Sequence, residues 1–371
     1  MRPSVELIYD HHQDIYHASS VSVGLEALAA RGRIDLTYRK ATAAEADLVA
    51  DSLTVALFIR DPQHSTEHLA AIDLHDQSHV FGPKILERCD IYFKRSYFEP
   101  DLKPLSVDCA TKVVPFGLNF ASRTMGSSVR MVWRTGLGKL LQGRHGIHGL
   151  RKHLVLPKPE EFEQTPDVAL EPTIVFQTRV WEPHETAPGE CDELNEQRVA
   201  VVRALREAFG ERFRGGLVPT ALAKARYPHE VSIFPTRRPE YIAMSKRNLI
   251  GVYTRGLHHS TAFKLPEYLA ASQCIVAQTP RNGTPKPMVA GTHFLPFDDP
   301  DECVAACQQL LFDHDLAAQM RRANHAYYHA EVAPAAHMER VLERVFLPMQ
   351  PEILRGPHFM GAEFAAKNRS I

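Results

Sequence analysis

Short apolar bursts alternate with amphipathic stretches along the whole chain. Residues 5–9, 34–38, 55–59, 71–74, 91–94 and 112–115 are compact apolar, β-branched or aromatic runs. Each has the length and content of a buried strand. Between them, residues 21–30 carry helical periodicity and residues 83–88 fit a short helical turn. Strand and helix alternating at this spacing predict a parallel, doubly wound sheet.

The pattern then repeats. Residues 173–178 (Thr-Ile-Val-Phe-Gln-Thr) read as a strand, and residues 195–209 as an amphipathic helix with Val199, Val202, Leu205 and Ala208 on one face. A Gly-rich connection at Gly215 and Gly216 leads to an expected strand at 231–234 and a helix at 239–247. Residues 249–254 and 274–278 are further strands, residues 301–312 and 316–331 are helices, and residues 338–346 form a last helix before a Pro-punctuated tail. Pro157-Lys158-Pro159-Glu160-Glu161 opens a linker over residues 157–170, since that composition suits a boundary. The organisation expected is therefore residues 1–160 as one domain, residues 170–335 as a second, and residues 336–371 as a terminal helix and tail.

Composition narrows the class. With 371 residues, the chain is long for one core and suits two. Hydrophobic content of 44% and charged content of 23% are those of a soluble globular protein. A formal net charge of −1 gives no global field for nucleic acid. No apolar run approaches the length of a membrane span, and the first nine residues do not read as a signal peptide, so a cytoplasmic protein is expected. Cys89, Cys109, Cys191, Cys274, Cys303 and Cys307 are scattered in apolar contexts and read as reduced core thiols.

One charge asymmetry stands out. Residues 109–159 hold no Asp or Glu until Glu160, but carry Arg123, Arg130, Arg134, Lys139, Arg144, Arg151, Lys152 and Lys158 among Met131, Trp133, Leu137 and Ile147. Two readings stay open: a helix packed on the first domain with its basic side in water, or contact of residues 123–153 with an anionic membrane face or polyanionic acceptor.

The chemistry concentrates in residues 249–278. A strand ends at Thr254, and the following loop carries Arg255, His258, His259, Ser260 and Thr261. A helix with Lys264, Leu265 and Glu267 follows, then the strand from Cys274. Backbone N–H groups and the helix dipole make such a loop an anion site, and a carboxylate one turn inside suits a ribose diol. The run Lys264, Glu267, Tyr268, Leu269, Ala270 and Ala271 resembles the second domain of group 1 glycosyltransferases of the GT-B architecture. The resemblance implies two Rossmann-like domains with a C-terminal helix crossing back to the first. It implies a nucleotide-sugar donor held by the second domain and a hydroxyl acceptor, saccharide or lipid-linked saccharide, held by the first. It also implies that Glu267 binds the donor ribose and that the loop, with Leu265 beside it, binds the diphosphate. Retaining members carry a second Glu eight positions earlier. His259 stands there instead, which favours inversion.

Further residues are assigned by position. Arg179 follows the first strand of the second domain, at the edge where open α/β sheets bind ligands. With Lys264 it is a diphosphate candidate, against a salt bridge to Glu182 or Glu185, and Arg255 is its substitute. Asp10, His11 and His12 follow the first strand of the first domain and are candidates for the base that takes the acceptor proton. Asp73 and Asp76 end another strand and are acceptor-side candidates. Asp298-Asp299-Pro300-Asp301 reads as a helix start rather than a metal site, so no metal and no cofactor beyond the donor are expected. The activity expected is sugar transfer in surface polysaccharide or glycolipid assembly, peripheral to the inner membrane face. A nucleic-acid-modifying glycosyltransferase and a non-catalytic binder of the same fold are the alternatives.

Overall fold

The computed structural model describes residues 2–61, 66–123, 155–185 and 189–347. It contains two sheets. The first is built from β1 (Ser4–Tyr9), β2 (Asp35–Lys40), β3 (Thr54–Asp61), β4 (Thr66–Asp73), β5 (Ile91–Lys94) and β6 (Val113–Pro115), in the order β2-β1-β3-β4-β5-β6. The second is built from β7 (Glu171–Thr178), β8 (Phe213–Leu217), β9 (Asn248–Tyr253), β10 (Cys274–Ala277) and β11 (Leu295–Pro296), in the order β11-β10-β9-β7-β8.

Both sheets are covered on both faces, as their continuous apolar strands require. In the first, Leu7, Leu57 and Ile72 face helix α1 (Ser19–Ala30), while Ile8, Ala56 and Ala71 face the helices α2 (Pro83–Arg88) and α3 (Val107–Lys112). In the second, Ile174, Val252 and Val276 pack on α4 (Glu190–Phe209). Val175, Tyr253 and Ile275 pack on α5 (Arg238–Ser245) and α6 (Lys264–Ala270). Helices α7 (Pro300–Phe312) and α8 (His314–Tyr327) complete that domain.

The second sheet is parallel throughout. The first departs from the expected all-parallel sheet at one strand. β3 runs antiparallel to β1 and to β4, so β3 and β4 form a hairpin, while β1–β2, β4–β5 and β5–β6 are parallel. The ends of β1, β4, β5 and β6 still share one edge.

Two more expectations are corrected. The Gly-rich connection is the strand β8, and the expected strand at 231–234 supplies only a single bridge, Val231 to Leu217. Glycine makes β8 possible, because a Cβ on Gly215 would lie 1.9 Å from the carbonyl oxygen of Phe176 on β7. Gly216 has φ +130°, open to glycine at little cost.

The last helix, α9 (Pro334–Phe346), returns to the first domain. Ala335, Met338, Val341, Leu342 and Val345 enter the same core as Leu7 and Val21. Gly24 lets α1 and α9 touch: a Cβ there would lie 2.2 Å from the Pro334 carbonyl oxygen. Two Rossmann-like domains with a terminal helix crossing back make up the GT-B plan. Residues 124–154, which carry most of the basic stretch, lie outside the described residues.

Candidate functional site

The carboxyl ends of β1, β4 and β5 in one domain and of β7 and β9 in the other carry the candidate side chains. Parallel strands end there in loops whose side chains are free of the ladder.

On the first-domain side, Asp10 follows β1. Its Oδ1 accepts from the His11 backbone N–H and lies against His11 Nδ1. Burial pushes the Asp10 carboxyl up, but the His11 contacts outweigh it and hold it below the usual range. The His11 and His12 rings lie 3.8 Å apart. The structure thus joins all three residues predicted here, and their ligand atoms lie within 4.8 Å of one another.

Asp73 does not reach the cleft. It ends β4 fully buried, accepting from Tyr92 Oη at 2.6 Å, Lys94 Nζ at 2.8 Å and the His75 backbone N–H at 2.9 Å. Lys94 on β5 is itself fully buried, so this acceptor-side candidate is a buried counter-ion instead. Asp76 remains near the cleft, its side chain 47% exposed and paired with Arg95. Burial raises the Asp76 carboxyl, and Arg95 more than offsets it.

Arg95 follows β5 and is buried. Its Nε donates to Asn119 Oδ1 at 3.0 Å, and its Nη2 donates to the Thr261 carbonyl of the second domain at 2.7 Å. Its guanidinium also lies 4.9 Å from the Phe263 ring centre. Tyr16 and His17 approach the same ring, and Gln77 meets His258 at 3.2 Å. The predicted loop is therefore gripped from across the cleft.

Within that loop His258 and His259 both have left-handed backbone, φ 56° and 55°. Two such non-glycine residues cost roughly 1–3 kcal/mol each and persist only where surroundings impose them. Here the His258 N–H donates to Glu190 Oε1, the Ser260 N–H donates to the Leu257 carbonyl at 3.0 Å, and Ser260 is buried. His259 is exposed; desolvation, then the Arg255 and Arg281 cations, pull its imidazole below the ordinary range, so it is neutral at pH 7.

The remaining predicted donor residues separate. Glu267 is buried, and its two carboxylate oxygens accept from Arg238 Nη1 and Nη2 in a fork. Leu265 is fully buried in the core, so its side chain is not available to a ligand. The Lys264 ammonium lies 3.9 Å from the Tyr241 ring centre rather than over the loop. Arg179 pairs with Glu185 at 2.6 Å, as one of its two readings had it, and stacks 3.4 Å from the Trp181 ring centre. Its side chain is 46% exposed, and such a surface pair contributes about 0–1 kcal/mol, little enough for a ligand to displace. Arg255 stays at the end of β9, anchored by its N–H donating to Gln278 Oε1 at 3.0 Å.

The acidic run before α7 is a helix start, as expected: Asp299 accepts from the Glu302 N–H at 2.9 Å as the N-cap. Arg238 escaped sequence reading because it lies just ahead of the predicted helix, and its partner is 29 residues away.

Residues 198–343 match the family model described as "Glycosyl transferase-like". No curated protein matches the chain. Among solved structures, one similar chain is the C-terminal domain of a glycosyl transferase group 1 family protein from Francisella tularensis. It is 11% identical, with a TM-score of 0.31, covering 47% of this chain and 92% of that one. A UDP-GlcNAc 2-epimerase from Neisseria meningitidis is 12% identical, with a TM-score of 0.34, covering 71% of this chain and 63% of that one. Sucrose-phosphate synthase from Thermosynechococcus elongatus is 12% identical, with a TM-score of 0.38, covering 93% and 99%. The family match falls on the domain whose motif pointed to glycosyltransferases.

Proposed function

We propose, from a two-domain GT-B fold whose second domain is glycosyl transferase-like over residues 198–343, that the protein moves a sugar from a nucleotide-sugar donor to a hydroxyl acceptor in the interdomain cleft. The observation that carries this reading is one juxtaposition. Arg179 and Arg255 follow the neighbouring strands β7 and β9 and bring two cations to that sheet edge, the buried Glu267 carboxylate lies in the helix after the β9 loop, and the Asp10–His11 pair follows the first strand of the other sheet. Cations without a required metal can stabilise the charge that develops on a leaving nucleoside diphosphate. Arg238 occupies one lone pair on each Glu267 oxygen and fixes the carboxylate plane, and each oxygen keeps a second lone pair that a diol would use.

The test is nucleotide binding. A nucleoside diphosphate from a panel should raise the melting temperature by mass action. Glu267→Gln, which keeps the shape, should weaken that binding by about 1.5–3 kcal/mol, the value of a hydrogen bond to a charged group. Equal affinity of a folded Glu267→Gln protein by calorimetry would remove Glu267 from the donor site.

The reaction is proposed to need no divalent metal. Asp299 serves as a helix cap, which supports that reading for the acidic run. The Asp10, His11 and His12 ligand atoms lie close enough to hold an ion, which makes the experiment informative. Transfer should survive excess chelator; loss of activity that magnesium or manganese restores would overturn the proposal.

The acceptor is proposed to be a saccharide or lipid-linked saccharide of surface polysaccharide or glycolipid assembly, with inversion at the sugar carbon. The basic residues between 123 and 153 supply the reason for a membrane-side acceptor. Among the described residues, no helix is long and apolar enough to cross a membrane.

A further inference from the structure

Helix α4 presents one polar patch to the sheet it covers. Asn195, Arg198, Val202 and Leu205 fall on a single face and are all buried, so a guanidinium and an amide interrupt an apolar stripe. Asn195 holds the chain after β7 by its backbone: Oδ1 accepts from the Trp181 N–H at 2.8 Å and Nδ2 donates to the Trp181 carbonyl at 2.9 Å. One turn on, Arg198 bridges two strands. Its Nη1 donates to the Arg179 carbonyl at 2.7 Å and its Nη2 to the Arg255 carbonyl at 3.0 Å. Those are the residues that follow the neighbouring strands β7 and β9, and their side chains are the two candidate phosphate cations.

Arg198 is only 4% exposed, and no carboxylate pairs with it among the described residues. Its guanidinium lies 5.9 Å from the Trp181 ring centre, on which Arg179 also stacks. Arg198 Nε and Trp181 Nε1 are both buried donors with no acceptor. Burial pulls the Arg198 pKa down to about 10, so the group stays charged at neutral pH. A buried cation without a counter-charge is costly, and buried donors without acceptors add to the cost. An anion arriving at the Arg179 and Arg255 side chains would supply the missing counter-charge.

We propose that Arg198 is the positioning residue of a phosphate subsite for the donor diphosphate, fixing the ends of β7 and β9 so that Arg179 and Arg255 converge and holding positive charge beneath them. The proposal rests on the glycosyltransferase reading and names residues that reading does not contain. Because the charge is buried, salt screens it less than it screens the two surface arginines.

The experiment compares the full-length protein with Arg198→Met and Arg198→Lys. It uses calorimetry with uridine, guanosine, adenosine and thymidine diphosphates and with the corresponding nucleosides, and checks each fold by near-ultraviolet circular dichroism. For the diphosphate that binds the unmodified protein best, Arg198→Met should lose affinity about ten-fold or more, while the affinity for its nucleoside stays unchanged. Arg198→Lys keeps the charge but cannot span both carbonyls, and should lose part of the diphosphate affinity. A folded Arg198→Met protein that binds diphosphate as tightly as the parent overturns the proposal and leaves the glycosyltransferase reading intact. If the Met variant does not fold, full diphosphate affinity in Arg198→Lys overturns it in the same way. If none of the four diphosphates binds the unmodified protein, the glycosyltransferase reading fails and the subsite falls with it.

Discussion

His11→Ala is expected to slow transfer by about 10²–10⁴-fold at saturating donor, the usual contribution of a positioned base. The geometry singles out His11 from its neighbours. Asp10 lies against its Nδ1, and a carboxylate held below the usual pKa range is charged at neutral pH. A proton on Nδ1 satisfies that carboxylate and leaves the Nε2 lone pair to accept one from an acceptor hydroxyl. Asp10→Asn should lower turnover in the same direction by less, since the amide still orients the ring but no longer stabilises its cation. His12→Ala should matter least, because His12 is exposed and its ring tilts against His11 at 42° rather than holding the Asp10 carboxylate. Donor affinity should be unchanged in all three. Measured turnover, with the anomeric configuration of the product by NMR, decides the matter. A retained anomer with three near-normal mutants would move this loop from proton transfer to acceptor binding.

Asp73→Ala is expected to destabilise the first domain by about 3–5 kcal/mol, the cost of leaving a buried charge unpaired. Lys94 would keep its Val80 carbonyl and lose its carboxylate, with no solvent near it. Asp73→Asn should cost less, since the amide still accepts from Tyr92. Burial pushes the Asp73 carboxyl up, yet His75 and Lys94 together hold it below its unfolded value. The stabilisation is therefore complete above the ordinary carboxylate range near pH 4 and is lost as pH falls towards the lower folded value. Thermal unfolding of the two variants across pH 3–7, a range set by those pKa values, measures both effects. A Asp73→Ala protein that melts like the parent would show that Lys94 finds another partner.

Strands β1 to β7, β9 and β10 were legible because a buried strand is a short apolar run, and the amphipathic α1 and α4 were legible from their period; the two-residue β11 was too short to leave a pattern. What escaped notice depended on partners distant in sequence. β8 looked like a connection because its glycines have no side chains to declare a strand; only the close approach of Phe176 requires them. The direction of β3 was hidden because an apolar run reads the same both ways. Asp73 was placed in the cleft by its position at a strand end, but Lys94 on the adjacent strand draws it inward. Position also brought out Glu267 and the loop after β9, while the Arg238 fork and the Arg95 grip rest on packing between elements. Arg198 did leave a signal: three residues after Asn195, it breaks the stripe that Val202 and Leu205 continue.

The return of α9 to the first domain has a consequence for biosynthesis. Pro115 ends the first sheet, but Met338 and Val341 of its core emerge more than two hundred residues later. At about 5–20 residues per second, the ribosome takes roughly ten to forty seconds to supply them. Throughout that interval the face of α1 around Gly24 lacks α9, the helix that covers it. The nascent chain thus offers chaperones a longer-lived target than its domain order suggests, and a message truncated before residue 334 would encode a first domain that never closes.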